Sequence, residues 1–427
     1  MTPLVDAGLA PVRTTFENGI VFLAKETRTM PAVTINLGMR AGSICDPSDA
    51  PGAMFLLSRI IDHGTASRSA DDIAEELDSR GIALTIKVTR HGVALVCTCL
   101  TEDFEPVLAL LGDILMFPSF PESELATRKG EVVTAIQQDA DNPAVRAVEG
   151  LMALLYPNGH PYGRRTKGSV EIVEGLTRQR LMTLHRERFA PSELLAVVVG
   201  DVDVTRARDA AARVFGGWKT AAPAPIPLPH VAPATRRQRL VIPMMNKAQA
   251  DIAYGFTTVA RADPAYYAWW LMNHAFGQYS MSGRLGDNIR EWQGMAYYVF
   301  SSLDAHVVEA PLIVRAGVGA ANVDRAIASI DEEIARLARD GITSKELDDS
   351  RQYLIYSMPR TLETNSGIAN FLQNAEFFGL GLDYDRRLPD LLGAVTVEDV
   401  HLAARGALDP ARATVAIAGP YEDRGIG

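Results

Sequence analysis

Residues 52–65 read GAMFLLSRIIDHGT. Met54, Phe55, Leu56, Leu57, Ile60 and Ile61 give the stretch an apolar helical body, and Gly64-Thr65 stops it. Ser58 and Arg59 stand side by side in the middle, where the apolar run should continue. A helix this apolar is expected to be buried, so a permanent cation at its centre needs a partner or a route to water. What ordinarily stands at these positions decides how the whole chain is read.

Outward from this helix the pattern is regular. Before it lie two runs in which apolar positions alternate with small or polar ones, IVFLAKE (20–26) and AVTINLGMRAG (32–42), both expected as strands. After it come a strand pair (82–100), a long amphipathic helix (103–116), a second helix rich in charge (123–139) and an apolar strand ending in Gly, LLAVVVGDVD (194–203). The second half repeats the order. Strand-like runs RLVIPM and ADIAYGFTTVA lead to an apolar helix over 264–275, with Asp263 expected as its N-cap and Pro264 at its first position. A strand pair (295–318), helices over 322–339 and 344–358, and the strand RATVAIAGPY (412–421) follow. Between the halves, WKTAAPAPIPLPHVAPAT (218–235) is rich in Pro and Ala and reads as a stiff linker. The expected division is therefore 1–217, linker 218–235 and 236–427. The expected fold class is α+β: two homologous α/β domains, each an antiparallel-rich sheet backed by helices.

Composition narrows the function. A chain of 427 residues exceeds one ordinary core, and its net charge of −10 argues against a nucleic-acid or anionic-membrane partner. No apolar run reaches a membrane span. The opening MTPLVDAGLAP has neither a basic nor an apolar leader pattern, so a soluble chain is expected, in the cytoplasm or the periplasm. Of the three cysteines, Cys97 and Cys99 alternate on one expected strand and read as small buried apolar residues rather than a metal or redox pair.

Several blocks in the right order give the chain a resemblance to a known family. AGSICDPSDAPGAMFLLSRIIDHGTASRSADDIAEELDSRGIALT (41–85), FPSFPESELATRKGEVV (117–133), NGHPYGRRTKGSVE (158–171), LHRERFAP (184–191) and SGRLGDNIREWQGMAYYVFSS (282–302) resemble the pitrilysin/insulinase-type zinc metallopeptidases, which include the mitochondrial processing peptidase. The resemblance implies a clam-shell of two domains around a chamber. It also implies an inverted zinc motif, His-x-x-Glu-His, on a helix just before a Gly-Thr pair. Two His four apart share a helix face and bind the metal, the Glu activates water, and a further Glu from the downstream charged helix completes the site.

Aligned on Gly64-Thr65, the motif falls on Phe55, Ser58 and Arg59. Phe55 replaces the first His, Ser58 the Glu base and Arg59 the second His. The downstream Glu falls near Thr134 and Ala135. Phe offers no lone pair, and Arg is a permanent cation that repels zinc. No two of the eight His lie four apart, so no metal is expected in this chain. Arg59 is expected to pair with Asp62 or Glu131, or to snorkel to water.

The second half keeps what the resemblance implies for it. Arg290 and Tyr297, in NIREWQGMAYYVFSS, match an Arg/Tyr pair that the family places over the active site. A phenol O–H aimed at the carbonyl oxygen under attack stabilises the transition state, and an Arg holds a substrate carbonyl in register. Tyr298 is expected to pack on the opposite face. The resemblance thus implies the zinc-free subunit of a heterodimeric peptidase, with zinc in a homologous partner and a peptide or unfolded polypeptide as substrate. Such a chain is expected to be inactive alone. The alternatives are a scaffold and a peptide-binding protein of the same fold. The processing peptidase has a metal-free subunit with a glycine-rich loop; the corresponding stretch here, HAFGQYSMSGRLGD (274–287), has Gly277, Gly283 and Gly286 but no glycine run, which favours the bacterial two-subunit peptidases.

Overall fold

The computed structural model describes residues 8–278 and 283–422. Strands β1 (Val12–Thr15), β2 (Val21–Glu26), β3 (Ala32–Met39), β4 (Thr85–Val88), β5 (Val93–Leu100) and β6 (Leu194–Gly200) form one sheet in the order β1-β2-β6-β3-β5-β4. Strands β7 (Gln238–Pro243), β8 (Ala250–Thr257), β9 (Ala296–Leu303), β10 (Pro311–Val318) and β11 (Thr414–Gly419) form a second in the order β7-β11-β8-β10-β9. Among the described residues, the parallel pairings are β2 with β6 and β7 with β11, and the others are antiparallel. With β1 set aside, the sheets share one topology, strand for strand, including the place of the parallel pair. The repeat expected from element order is therefore present in strand pairing, in an α+β architecture of two helix-backed sheets.

The helices repeat as well. Ala53–Ile60 corresponds to Tyr266–Asn273, Phe104–Met116 to Val323–Asp340, Glu122–Ala140 to Ser344–Thr361, and Pro143–Leu155 to Asn365–Phe377. The helix expected over 264–275 begins later, as the α-helix Tyr266–Asn273, and runs on as a π-helical turn over His274–Gln278. Asp263 accepts from the Ala265 N–H at 2.8 Å, and its carbonyl accepts from Tyr266 N–H, so it closes a turn before the helix instead of capping it. Residues 218–234 carry neither helix nor strand, as a stretch with so many Pro and so few donors should.

The chain divides into two compact units that depart from chain order in two places. One comprises Met1–Ile136, Arg165–Pro227 and Met358–Arg386; the other comprises Gln137–Arg164, Leu228–Ser357 and Arg387–Gly427. Each sheet takes its strands from one side of 218–235, whereas helix Pro143–Leu155 belongs to the second unit and helix Asn365–Phe377 to the first. Helix Asn365–Phe377 packs on β3 and β6 of the first sheet, and helix Pro143–Leu155 on β8 and β11 of the second. Burial explains the arrangement. Along β6, Leu194, Ala196 and Val198 enter the main core of the first unit, while Leu195, Val197 and Val199 join Leu23, Ile368, Ala369 and Leu372 on the other face. Such a strand is apolar throughout because both of its faces are covered. A polar contact crosses that face too: Asn36 Nδ2 donates to Asn370 Oδ1 at 3.1 Å. In the second unit, Gly150 lets its helix approach the sheet closely, since a Cβ there would lie 2.8 Å from Leu240 Cδ2 and 3.2 Å from Ile242 Cδ1.

Candidate functional site

The helix with Ser58 and Arg59 in its middle is Ala53–Ile60, in the first unit. Its entry is built by Asp46, whose carboxylate accepts from the Gly52 N–H at 2.8 Å and the Met54 N–H at 2.7 Å. Gly52 has φ +93°, and a Cβ there would lie 2.4 Å from the Lys167 carbonyl oxygen, so the turn into the helix requires glycine. Ala53, Met54, Leu56, Leu57 and Ile60 are buried in the core.

Each motif position is engaged in something other than metal binding. Phe55 is half-buried, with the Lys167 ammonium 6.0 Å from its ring centroid. Ser58 is 4% exposed, and its hydroxyl donates back to the Phe55 carbonyl at 2.7 Å. The buried hydroxyl is satisfied within the helix, which is how a polar residue fits there. Arg59 reaches outward, with Nη2 3.9 Å from Glu131 Oε2 on helix Glu122–Ala140, and both side chains are close to half exposed. Glu131 is bound more closely by Arg128, at 2.7 Å. Asp62, the other partner considered for Arg59, accepts from His63 Nδ1 at 2.8 Å. An exposed pair at 3.9 Å contributes on the order of 1 kcal/mol or less, so Arg59 is tolerated by solvent more than held by its ion pair. On the downstream helix the Thr134 hydroxyl donates back to the Gly130 carbonyl at 2.8 Å, and Ala135 has no polar side chain. This donor set does not fit zinc. Among the described residues, no group of three or more His, Cys, Asp and Glu is arranged to hold a metal ion.

Arg290 and Tyr297 lie in the second unit on elements that pack together. Arg290 belongs to a π-helical segment, Gly286–Trp292, a conformation rare in proteins and frequent at functional sites. The segment is anchored by buried Gly286 and Ile289, and Arg290 is half-buried with Nη1 3.5 Å from Glu291 Oε1. Tyr297 lies on β9, an edge strand. The β9–β10 register pairs Tyr298 with Gly317 and Ala296 with Val318, so Tyr297 is the extra residue of a β-bulge. Bulges re-aim side chains; here Tyr297 is 71% exposed although it lies in a strand. Part of the stretch 274–287, residues 279–282, lies outside the described residues.

Two residues were not legible as part of this site. Tyr298, expected only to pack, donates its hydroxyl to Asp251 Oδ1 on β8. Asp251, 2% exposed, stood out from the sequence in no way.

Comparison with known proteins places these features in a family. Residues 21–166 match the model for insulinase, peptidase family M16, and residues 175–354 match the model for the peptidase M16 inactive domain. An uncharacterized zinc protease of Bacillus subtilis is 27% identical over 92% of this chain and 94% of its own. One from Streptomyces coelicolor is 25% identical over 96% of this chain and 90% of its own. Among solved structures, a peptidase M16 inactive domain from Pseudomonas fluorescens superposes with a TM-score of 0.89 at 24% identity, covering 96% of this chain and 98% of that one. The periplasmic protease PqqL of Escherichia coli superposes with a TM-score of 0.80 at 17% identity, covering 96% of this chain and 45% of that one. Two models of one family matched in tandem, relatives aligned over nearly their whole length, and a shared fold lead to one statement: the chain belongs to the insulinase-type peptidases, family M16.

Proposed function

We propose that this chain is the zinc-free subunit of a heterodimeric metallopeptidase. It supplies Arg290 and Tyr297 to the active site of a homologous, zinc-bearing partner and helps to enclose a peptide or unfolded polypeptide. The observation that carries this reading is the contrast between the two sets of motif positions. Phe55, Ser58 and Arg59 are absorbed into packing, a local hydrogen bond and a surface ion pair. Tyr297, by contrast, stands out of an edge strand, 71% exposed, on a bulge beside the segment that carries Arg290. Its exposure leaves the phenol available to a substrate rather than committed to the core. In the proposed complex the phenol donates to the carbonyl oxygen as charge builds on it, and Arg290 holds a neighbouring carbonyl. The metal chemistry belongs to the partner.

No helix among the described residues is long and apolar enough to cross a membrane. The partner is to be sought in the cytoplasm or the periplasm, the latter being the compartment in the name of the Escherichia coli relative. The test is hydrolysis of a quenched fluorescent peptide mixture with added zinc. It compares this chain alone, a zinc-motif relative from the same organism alone, and the two together. Cleavage by the mixture only is expected. A relative that is fully active alone and gains nothing from this chain would refute the proposal.

A further inference from the structure

Tyr298 pairs with Gly317 on β10, and Gly317 pairs in turn with Asp251 on β8. The Tyr298 hydroxyl donates to Asp251 Oδ1, so the phenol lies across the whole width of β10. Two strand spacings are about 9–10 Å, a distance that the tyrosine and the aspartate reaching towards it span together. The crossing is possible because the middle position has no side chain. A Cβ on Gly317 would lie 2.6 Å from Tyr298 Cε1 and 3.0 Å from Cδ1. Gln249 Nε2 lies 3.4 Å from the other Asp251 oxygen, which gives the buried carboxylate a second donor. Burial first, and then the carboxylate acceptor, raise the Tyr298 hydroxyl above the ordinary phenol range, so it remains a donor at any working pH.

The bulge begins at the next residue. Val318 pairs with Ala296, Gly317 with Tyr298, and Tyr297 is left over. A bulge on an edge strand interrupts the ladder where only one neighbour holds the chain, and such strands fray first. Tyr297, 71% exposed, is positioned mainly by its own backbone. A displacement of ~1 Å at a catalytic group costs about 100-fold in rate.

We propose that the Tyr298–Asp251 hydrogen bond, laid over Gly317, fastens the β9 bulge and so aims Tyr297. Tyr298 is then a positioning residue. The catalytic consequence rests on the proposed function, whereas the fastening rests on the sheet geometry.

The test uses the full chain with Tyr298→Phe, Gly317→Ala and Asp251→Asn. The first removes the donor, the second displaces the ring while both partners remain, and the third keeps an oxygen acceptor. Hydrogen exchange of residues 296–303 is expected to quicken about tenfold in Tyr298→Phe and Gly317→Ala and to stay near wild type in Asp251→Asn. Should Gly317→Ala fail to fold, Tyr298→Phe decides. Unchanged exchange in Tyr298→Phe would overturn the proposal. In the mixture with the zinc-bearing relative, Tyr298→Phe is expected to lower kcat about tenfold with KM unchanged. Adding it to Tyr297→Phe is expected to cost nothing more, because it acts through that residue. Full additivity of the two would overturn the positioning role. If Tyr297→Phe alone changes nothing, the proposed function fails, and exchange still decides the fastening.

Discussion

Separating the two sequence halves should destroy both, because each sheet takes a covering helix from the other half. Residues 1–217 expressed alone lack Asn365–Phe377. Leu23, Leu195, Val197 and Val199, now at most 3% exposed, would lose the cover provided by Ile368, Ala369 and Leu372. Burying a Val or Leu side chain is worth about 1.5–3 kcal/mol, so four amount to roughly 6–12 kcal/mol. That sum is an upper bound, since the unfolded chain hides some of the same surface. A domain retains a net stability of only about 5–15 kcal/mol, so the loss is comparable to the whole margin. Hydrogen bonds go with it, among them Asn36 to Asn370 at 3.1 Å, Thr27 to Asn365 at 2.8 Å, Asn365 Nδ2 to the Ala32 carbonyl at 3.1 Å and Arg13 to the Glu376 carboxylate at 2.9 Å. The assay is near-ultraviolet circular dichroism and urea unfolding of 1–217 alone, 236–427 alone, and the two co-expressed. Neither fragment should unfold cooperatively by itself, and together they should regain the transition, each supplying the helix the other lacks. A single substitution sharpens the test: Leu372→Ala should cost about 2–5 kcal/mol and weaken protection in β6, within the first half of the sequence. A lone 1–217 fragment with the urea midpoint of the intact chain would refute the reasoning.

Three further outcomes are expected. Tyr297→Phe should lower kcat of the mixed enzyme by about 100- to 1,000-fold, as loss of one oxyanion donor does, and leave thermal melting unchanged because the side chain is 71% exposed; an unaltered kcat would count against its catalytic role. Stability should fall in acid through His185, whose pKa burial pushes down to about 4 while its Nε2–H donates to the Leu115 carbonyl at 2.9 Å. Because the folded pKa lies below the unfolded value of about 6.5, the contribution is constant above that pH. About 3 kcal/mol is lost between pH 6.5 and 4, where only the unfolded chain takes up the proton; urea titrations in which His185→Gln has the same pH slope as wild type would contradict this. Excess chelator should leave the melting temperature of the isolated chain unchanged and abolish cleavage by the mixture, whereas a zinc-dependent rise of several degrees in the isolated chain would mean that a metal site exists in it.

Much of this could be read from the residues, for reasons that show where such reading stops. The repeat was visible because strand and helix periods follow one another in the same order twice. Phe55 and Arg59 could be set aside as zinc ligands because ligand chemistry is local: neither side chain binds zinc in any surroundings. The covering helices were not assignable. NPAVRAVEGLMALL shows an apolar face to be buried, but periodicity does not say against which sheet. The choice between Asp62 and Glu131 for Arg59 turned on the approach of a second helix, a tertiary fact. Tyr298 looked like packing because its meaning depends on Gly317 and Asp251, each unremarkable by itself and brought into line only by register. The bulge at Tyr297 is likewise a mismatch between two strands, which neither strand displays alone.

The exchanged helices also bear on descent. A single ancestral repeat of this design would have had a sheet bare on one face and a helix with nothing to cover. Two identical copies trading that helix would resolve both defects at once, so the ancestor implied by the repeat is an obligate homodimer. Gene duplication and fusion through the segment at 218–235 would then have turned that dimer into one polypeptide, after which its two halves were free to diverge separately.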